Sequence, residues 1–120
     1  MPTASGHTTA IRASEVIGID VYDTSGENIG KVVDVMLDKT SNRTMFAVVS
    51  IGGAVTTSDN YYPLPWSILD YAEAKGGYVV PYTKDQLVKG PADSMSALTK
   101  NDGAGPRTAA YSHYKINRDW

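Results

Sequence analysis

The stretch Thr44-Met45-Phe46-Ala47-Val48-Val49-Ser50-Ile51 constrains the fold more than any other part of the chain. Its β-branched and aromatic residues favour an extended strand. Met45, Ala47, Val49 and Ile51 alternate onto one side, and Phe46, Val48 and Ser50 onto the other. A strand that is apolar on both faces needs cover on both, so this one is expected at the centre of a sheet. Its uninterrupted apolar run, Met45 to Val49, is far shorter than the roughly 20 residues that cross a bilayer as a helix. No membrane span is expected.

The segments on either side read as further short strands separated by turns. Ser14 to Ile17 fits one helical turn capped by Ser14, and Gly18 to Tyr22 then alternates with period two. Asp23-Thr24-Ser25-Gly26 places Asp first and Gly fourth in a type I turn. Asn28 to Asp38 is the return strand, with its alternation broken near Gly30, where a bulge is expected. Lys39 to Arg43 is a polar turn in which Asn42 can take positive φ. After a Gly-rich, polar loop from Gly52 to Asn60, Tyr61 to Leu64 is extended again. Pro63 and Pro65 cannot donate to a ladder, which confines this strand to a short or edge position.

Pro65 to Leu69 is predicted to form a single helical turn that sets Trp66 on the mouth of the barrel. Tyr71 to Ala74 and Tyr78 to Tyr82 make a last hairpin around Lys75-Gly76-Gly77. Thr83-Lys84-Asp85-Gln86 is a capping box opening a short helix, which Gly90-Pro91 stops. Asn101 to Pro106 reads as a linker, after which aromatics return at Tyr111, Tyr114 and Trp120. With 120 residues, 42% of them hydrophobic, the chain suits one core. The expected organisation is a leader over residues 1–10, a mainly β domain of about five to six antiparallel strands over 11–91, and a C-terminal arm over 92–120.

Ser14-Glu15-Val16-Ile17-Gly18, then Gly26-Glu27-Asn28-Ile29-Gly30-Lys31-Val32-Val33-Asp34-Val35, then Tyr62-Pro63-Leu64-Pro65-Trp66-Ser67-Ile68-Leu69 resemble, in order and spacing, the PRC-barrel family. That domain occurs in the H subunit of photosynthetic reaction centres and in ribosome maturation factors. The resemblance runs from about Ser14 to Gly90. It implies a small, partly open β-barrel that acts as a docking module in larger assemblies, with no shared catalytic constellation. Without the transmembrane helix of the one relative or the additional N-terminal domain of the other, the chain looks like a stand-alone member.

The residues themselves point the same way. There are no cysteines, which removes disulfides, thiolate metal sites and cysteine nucleophiles. His7 and His113 lie in the leader and the arm, where no packed element holds them beside a nucleophile. Asp20, Asp23, Glu27, Asp34 and Asp38 do not follow a calcium-loop spacing and read as turn and sheet polarity, with Glu27 or Asp34 paired to a lysine. The glycine pairs read as turns. No enzyme activity, metal or cofactor is expected. A formal charge of −2 with scattered Lys and Arg argues against nucleic acid, whose binding draws on phosphate neutralisation.

The expected function is a protein-interaction or assembly module, as a homodimer, with an unnamed protein partner and a cytoplasmic location. The candidate interaction surface comprises Tyr61, Tyr62, Trp66, Tyr111, Tyr114 and Trp120, because Trp and Tyr dominate interface energetics. The arm is expected to be exchanged between two copies. Two other functions compete with this one. In the first, Trp66 and the tyrosines line an apolar pocket for a quinone-like ligand or an electron-transfer role; in the second, the chain is a ribosome- or RNA-associated factor.

Overall fold

The computed structural model describes residues 10–51 and 61–116. After a short helix α1 (Ala13–Val16), four strands run in a meander: β1 (Asp20–Tyr22), β2 (Asn28–Asp38), β3 (Arg43–Ile51) and β4 (Tyr62–Pro65). A 3-10 turn, Trp66–Ile68, leads to β5 (Asp70–Ala72) and β6 (Gly77–Val79). The sheet order is β4-β3-β2-β1-β6-β5. Every pairing is antiparallel except β1 with β6, which is parallel. The barrel is therefore a mixed sheet rather than the purely antiparallel one expected. Thr24 N–H to the Tyr82 carbonyl and Val80 N–H to the Tyr22 carbonyl extend the parallel joint.

The sheet does not close, because β4 and β5 are its two ends. Yet only Trp66 to Leu69 separate them in sequence, and an extended chain advances at most about 3.3–3.6 Å per residue. The 3-10 turn therefore bridges the seam between the two ends.

Bulges decide which side chains enter the core. Ile29 is the extra residue where Val21 faces Gly30 and Tyr22 faces Asn28, next to the Gly30 position where a bulge was anticipated. Val33 is extra between the Val32–Val49 and Asp34–Val48 pairs, and Met45 is extra between Met36–Phe46 and Leu37–Thr44. Each bulge reverses the alternation beyond it. Ala47, Val49 and Ile51 thus join one cluster with Val21, Val32, Leu64 and Leu69. Phe46 and Val48 form a second on the opposite face, and Met45 packs there rather than with Ala47, as strict alternation had placed it.

Three short sequence signals hold as read. Asp23 Oδ1 accepts from Ser25 N–H at 2.9 Å, Ser25 Oγ–H at 2.6 Å and Glu27 N–H at 3.2 Å, pinning the β1–β2 turn. Thr83 and Gln86 form the reciprocal capping box of α2 (Lys84–Val88). Asn42 takes φ of 62° in the β2–β3 turn.

The arm is helical. Helix α3 (Met95–Thr99) begins at Ser94, whose hydroxyl accepts from Ala97 N–H, and places Leu98 in the Phe46 cluster. Residues 101–106 are not the linker the sequence pattern indicated. Asn101 and Asp102 adopt left-handed φ of 52° and 59°, which short polar side chains tolerate better than most. Gly103, at φ 70°, is the N-cap of α4 (Ala104–His113). A Cβ at Gly103 would lie 3.1 Å from Met36 Cε and 3.2 Å from Phe46 Cε2, so glycine here serves both the turn and close packing. Pro106 sits in the first turn of α4, where a missing N–H costs no helical bond. α4 packs on β4, and Ala110, Tyr111 and Tyr114 join the main core.

Candidate interaction surface

The aromatic side chains fall into separate groups fixed by strand parity and by the seam. Tyr61 and Tyr62, adjacent in sequence, pack against opposite clusters. Tyr61 is held where its backbone bridges Asp93, with N–H to carbonyl distances of 2.8 and 3.0 Å. Tyr62 belongs to β4 opposite Val49. The expected single surface of Tyr61, Tyr62 and Trp66 is therefore split across the sheet.

Trp66 is brought instead to two tyrosines from the last hairpin. Its ring centroid lies 5.6 Å from that of Tyr78, and Tyr71 meets Tyr78 edge-on at 5.4 Å. Both separations suit favourable tilted aromatic packing. Tyr78 is buried, whereas Trp66 and Tyr71 remain half-exposed. The sequence reading counted Tyr71 and Tyr78 as strand residues only. Their cross-strand register, Tyr71 opposite Tyr78, follows from the Lys75-Gly76-Gly77 turn and was the available signal.

The arm tyrosines face inward. Tyr111 is 9% exposed and its hydroxyl donates to the Met45 carbonyl at 2.8 Å. Tyr114 is 4% exposed, with its ring 5.1 Å from that of Tyr82. Burial, with Tyr82 and Tyr62 nearby, pushes the Tyr114 hydroxyl up to about 12. That buried hydroxyl has no hydrogen-bond partner among the described residues. Trp120, the sixth residue expected on the surface, lies outside the described residues, as does His7. His113 is exposed and stacks edge-on against Tyr114 at 4.6 Å.

The charged groups are spread along the sheet. Lys31 Nζ binds Asp20 Oδ1 at 2.7 Å, directly across the β1–β2 ladder, so its partner is Asp20 rather than Glu27. Lys31 holds the Asp20 carboxyl below its ordinary range. The Ser25 hydroxyl, with the Glu27 and Ser25 backbone amides, does the same for Asp23. Among the described residues, clefts of about 380 and 530 Å³ open on the surface, and neither of these is lined by Trp66 or Tyr62. No helix among the described residues is long and apolar enough to cross a membrane.

A mainly β, open sheet of six strands, with the Gly30-Lys31-Val32 return strand at its centre and the Pro-Trp turn linking its two ends, agrees with the small, partly open barrel that the resemblance implies, apart from its one parallel pairing. Residues 8–87 match the PRC-barrel domain. The chain belongs to the PRC-barrel family. The match spans α1 through most of α2, so α3 and α4 add to the family core and complete it on the β4 side. No curated protein sequence matches the chain.

Proposed function

We propose that this PRC-barrel chain is a non-catalytic docking module that associates with a second copy of itself through the seam of the barrel. The half-exposed pair Trp66 and Tyr71, braced on buried Tyr78, carries this reading. Large aromatic side chains on a rigid base supply contact area with little ordering cost, and such residues form the energetic centres of interfaces. The arm supports the same choice by elimination: Tyr111 and Tyr114 are buried on their own sheet, so the seam, rather than an exchanged arm, offers the aromatic area. Two-fold homodimers are also the commonest soluble assemblies.

Light scattering after size exclusion of the full chain tests this. The expected mass is twice 12.9 kDa, falling to the single-chain value in a Trp66→Ala/Tyr71→Ala variant with unchanged circular dichroism. A full chain that stays single at every concentration, or a double variant that remains dimeric, contradicts it.

A further inference from the structure

Three of the chain's four methionines meet on the Phe46 face of the sheet; the fourth, Met1, lies outside the described residues. Met36 of β2 stands across the ladder from Phe46 of β3. Its methyl group and the edge of the Phe46 ring both close on Gly103, lying 3.1 and 3.2 Å from where a Cβ on that residue would stand. Met95 opens α3 and packs on the same cluster from the arm, together with Leu98. Met45 completes it from within β3. Their exposure differs: Met45 is 3% exposed, whereas Met36 and Met95 are only partly buried.

Helix α3 depends on this face. It has five residues, far fewer than the roughly 12–15 below which an isolated helix is marginal in water, and the Ser94 hydroxyl caps only its first turn. Packing of Met95 and Leu98 on the Phe46 cluster therefore holds it. A thioether is an apolar, adaptable filler, but its sulfoxide is polar and chiral, so oxidation in such a cluster disrupts the contact. The larger core cluster contains no methionine among the described residues, which confines the effect to the α3 side. The Tyr61–Asp93 bridge ahead of α3 and the packing of α4 on β4 behind it limit the segment that can leave.

We propose that Met36 and Met95 form a reversible oxidation site for hydrogen peroxide, at which sulfoxide formation releases α3 from the sheet. In each oxidation the peroxide O–O bond breaks, one oxygen forms an S–O bond to the thioether and the other leaves as water; the sulfur loses two electrons and the peroxide gains them. Methionine sulfoxide reductases, one for each epimer, run the reverse step with a dithiol, which becomes a disulfide as the sulfoxide oxygen leaves as water. Trp66 and Tyr71 pack on the larger cluster, across the sheet from this one, so the inference stands independently of self-association at the seam.

Peptide mass spectrometry and hydrogen–deuterium exchange on the full chain, before and after hydrogen peroxide, test this. Met36 and Met95 are each expected to gain one oxygen while Met45 stays a thioether. Amide exchange over residues 97–99 should then become several-fold faster, with residues 28–32 unchanged. Met36→Leu/Met95→Leu, a volume-conserving exchange that cores tolerate, should keep slow exchange after the same treatment. Both reductases with dithiothreitol should restore slow exchange in the oxidised parent. The proposal is overturned if Met45 oxidises as fast as the other two, or if residues 97–99 of the oxidised protein exchange no faster. Equal acceleration in the double leucine variant, acceleration throughout the chain, or acceleration that survives full reduction would also overturn it.

Discussion

Tyr111 and Tyr114 stand three residues apart in the arm and are both buried, yet their hydroxyls have opposite consequences. Tyr111 donates to the Met45 carbonyl, at the bulge of β3. Removing one partner of a buried hydrogen bond costs about 1–3 kcal/mol, so Tyr111→Phe should lower stability by that amount in urea unfolding. Tyr114 has no such partner among the described residues, and Tyr114→Phe should leave stability within about 1 kcal/mol of the parent or raise it. The pH dependence follows the same contrast. Folding raises the Tyr114 hydroxyl to about 12 and shifts Tyr78 in the same direction, both by burial, whereas an unfolded tyrosine titrates near about 10. The folded state therefore holds more protons between these values, and stability is full below about pH 10 and falls as pH rises toward about 12. Alkaline unfolding monitored by circular dichroism should show this loss, and Tyr114→Phe should reduce it. The sequence placed the arm's aromatics on an interaction surface, and that Tyr111 and Tyr114 turn inward, with only one hydroxyl finding a carbonyl, depends on the packing of α4 and the Met45 bulge, tertiary features with no local signature.

Among the elements, the β2–β3 pair is the frame on which the rest is built. Gly30 lies opposite Ile51, and a Cβ there would collide with the Ser50 carbonyl oxygen. Overpacking of this kind costs about 1–3 kcal/mol, and Gly30→Ala should show it as a lowered urea midpoint with an unchanged slope. The two-residue periodicity of β3 and the capping box of α2 were legible because each is decided within a few neighbouring residues. The bulges at Val33 and Met45 were not, since an extra residue in a strand is set by the partner's register. The element misread was α4. Asn101-Asp102-Gly103 and Gly105-Pro106 carry loop signals, yet the first three make the sharp left-handed turn that begins the helix and the last two lie in its first turn. Only the packing of Gly103 on Met36 and Phe46 reveals why the turn lies there.

At the scale of the molecule, the PRC-barrel core and its arm are one packed body: Leu98 covers the Phe46 face while Tyr111 and Tyr114 complete the other. The parallel β1–β6 joint could not be read from strand patterns, because both segments are only three residues long and alternate as either orientation would. That joint places β5 at the far end of the sheet from β4, and so creates the seam at which Trp66 and Tyr71 share Tyr78. In the proposed assembly, copies meet at this seam. Hydrogen–deuterium exchange on the full chain, compared between dilute and concentrated protein, tests it most directly. Slower exchange on concentration is predicted for peptides covering residues 66–72, with residues 104–113 unchanged. Exchange independent of concentration throughout, or protection confined to residues 104–113, would contradict it.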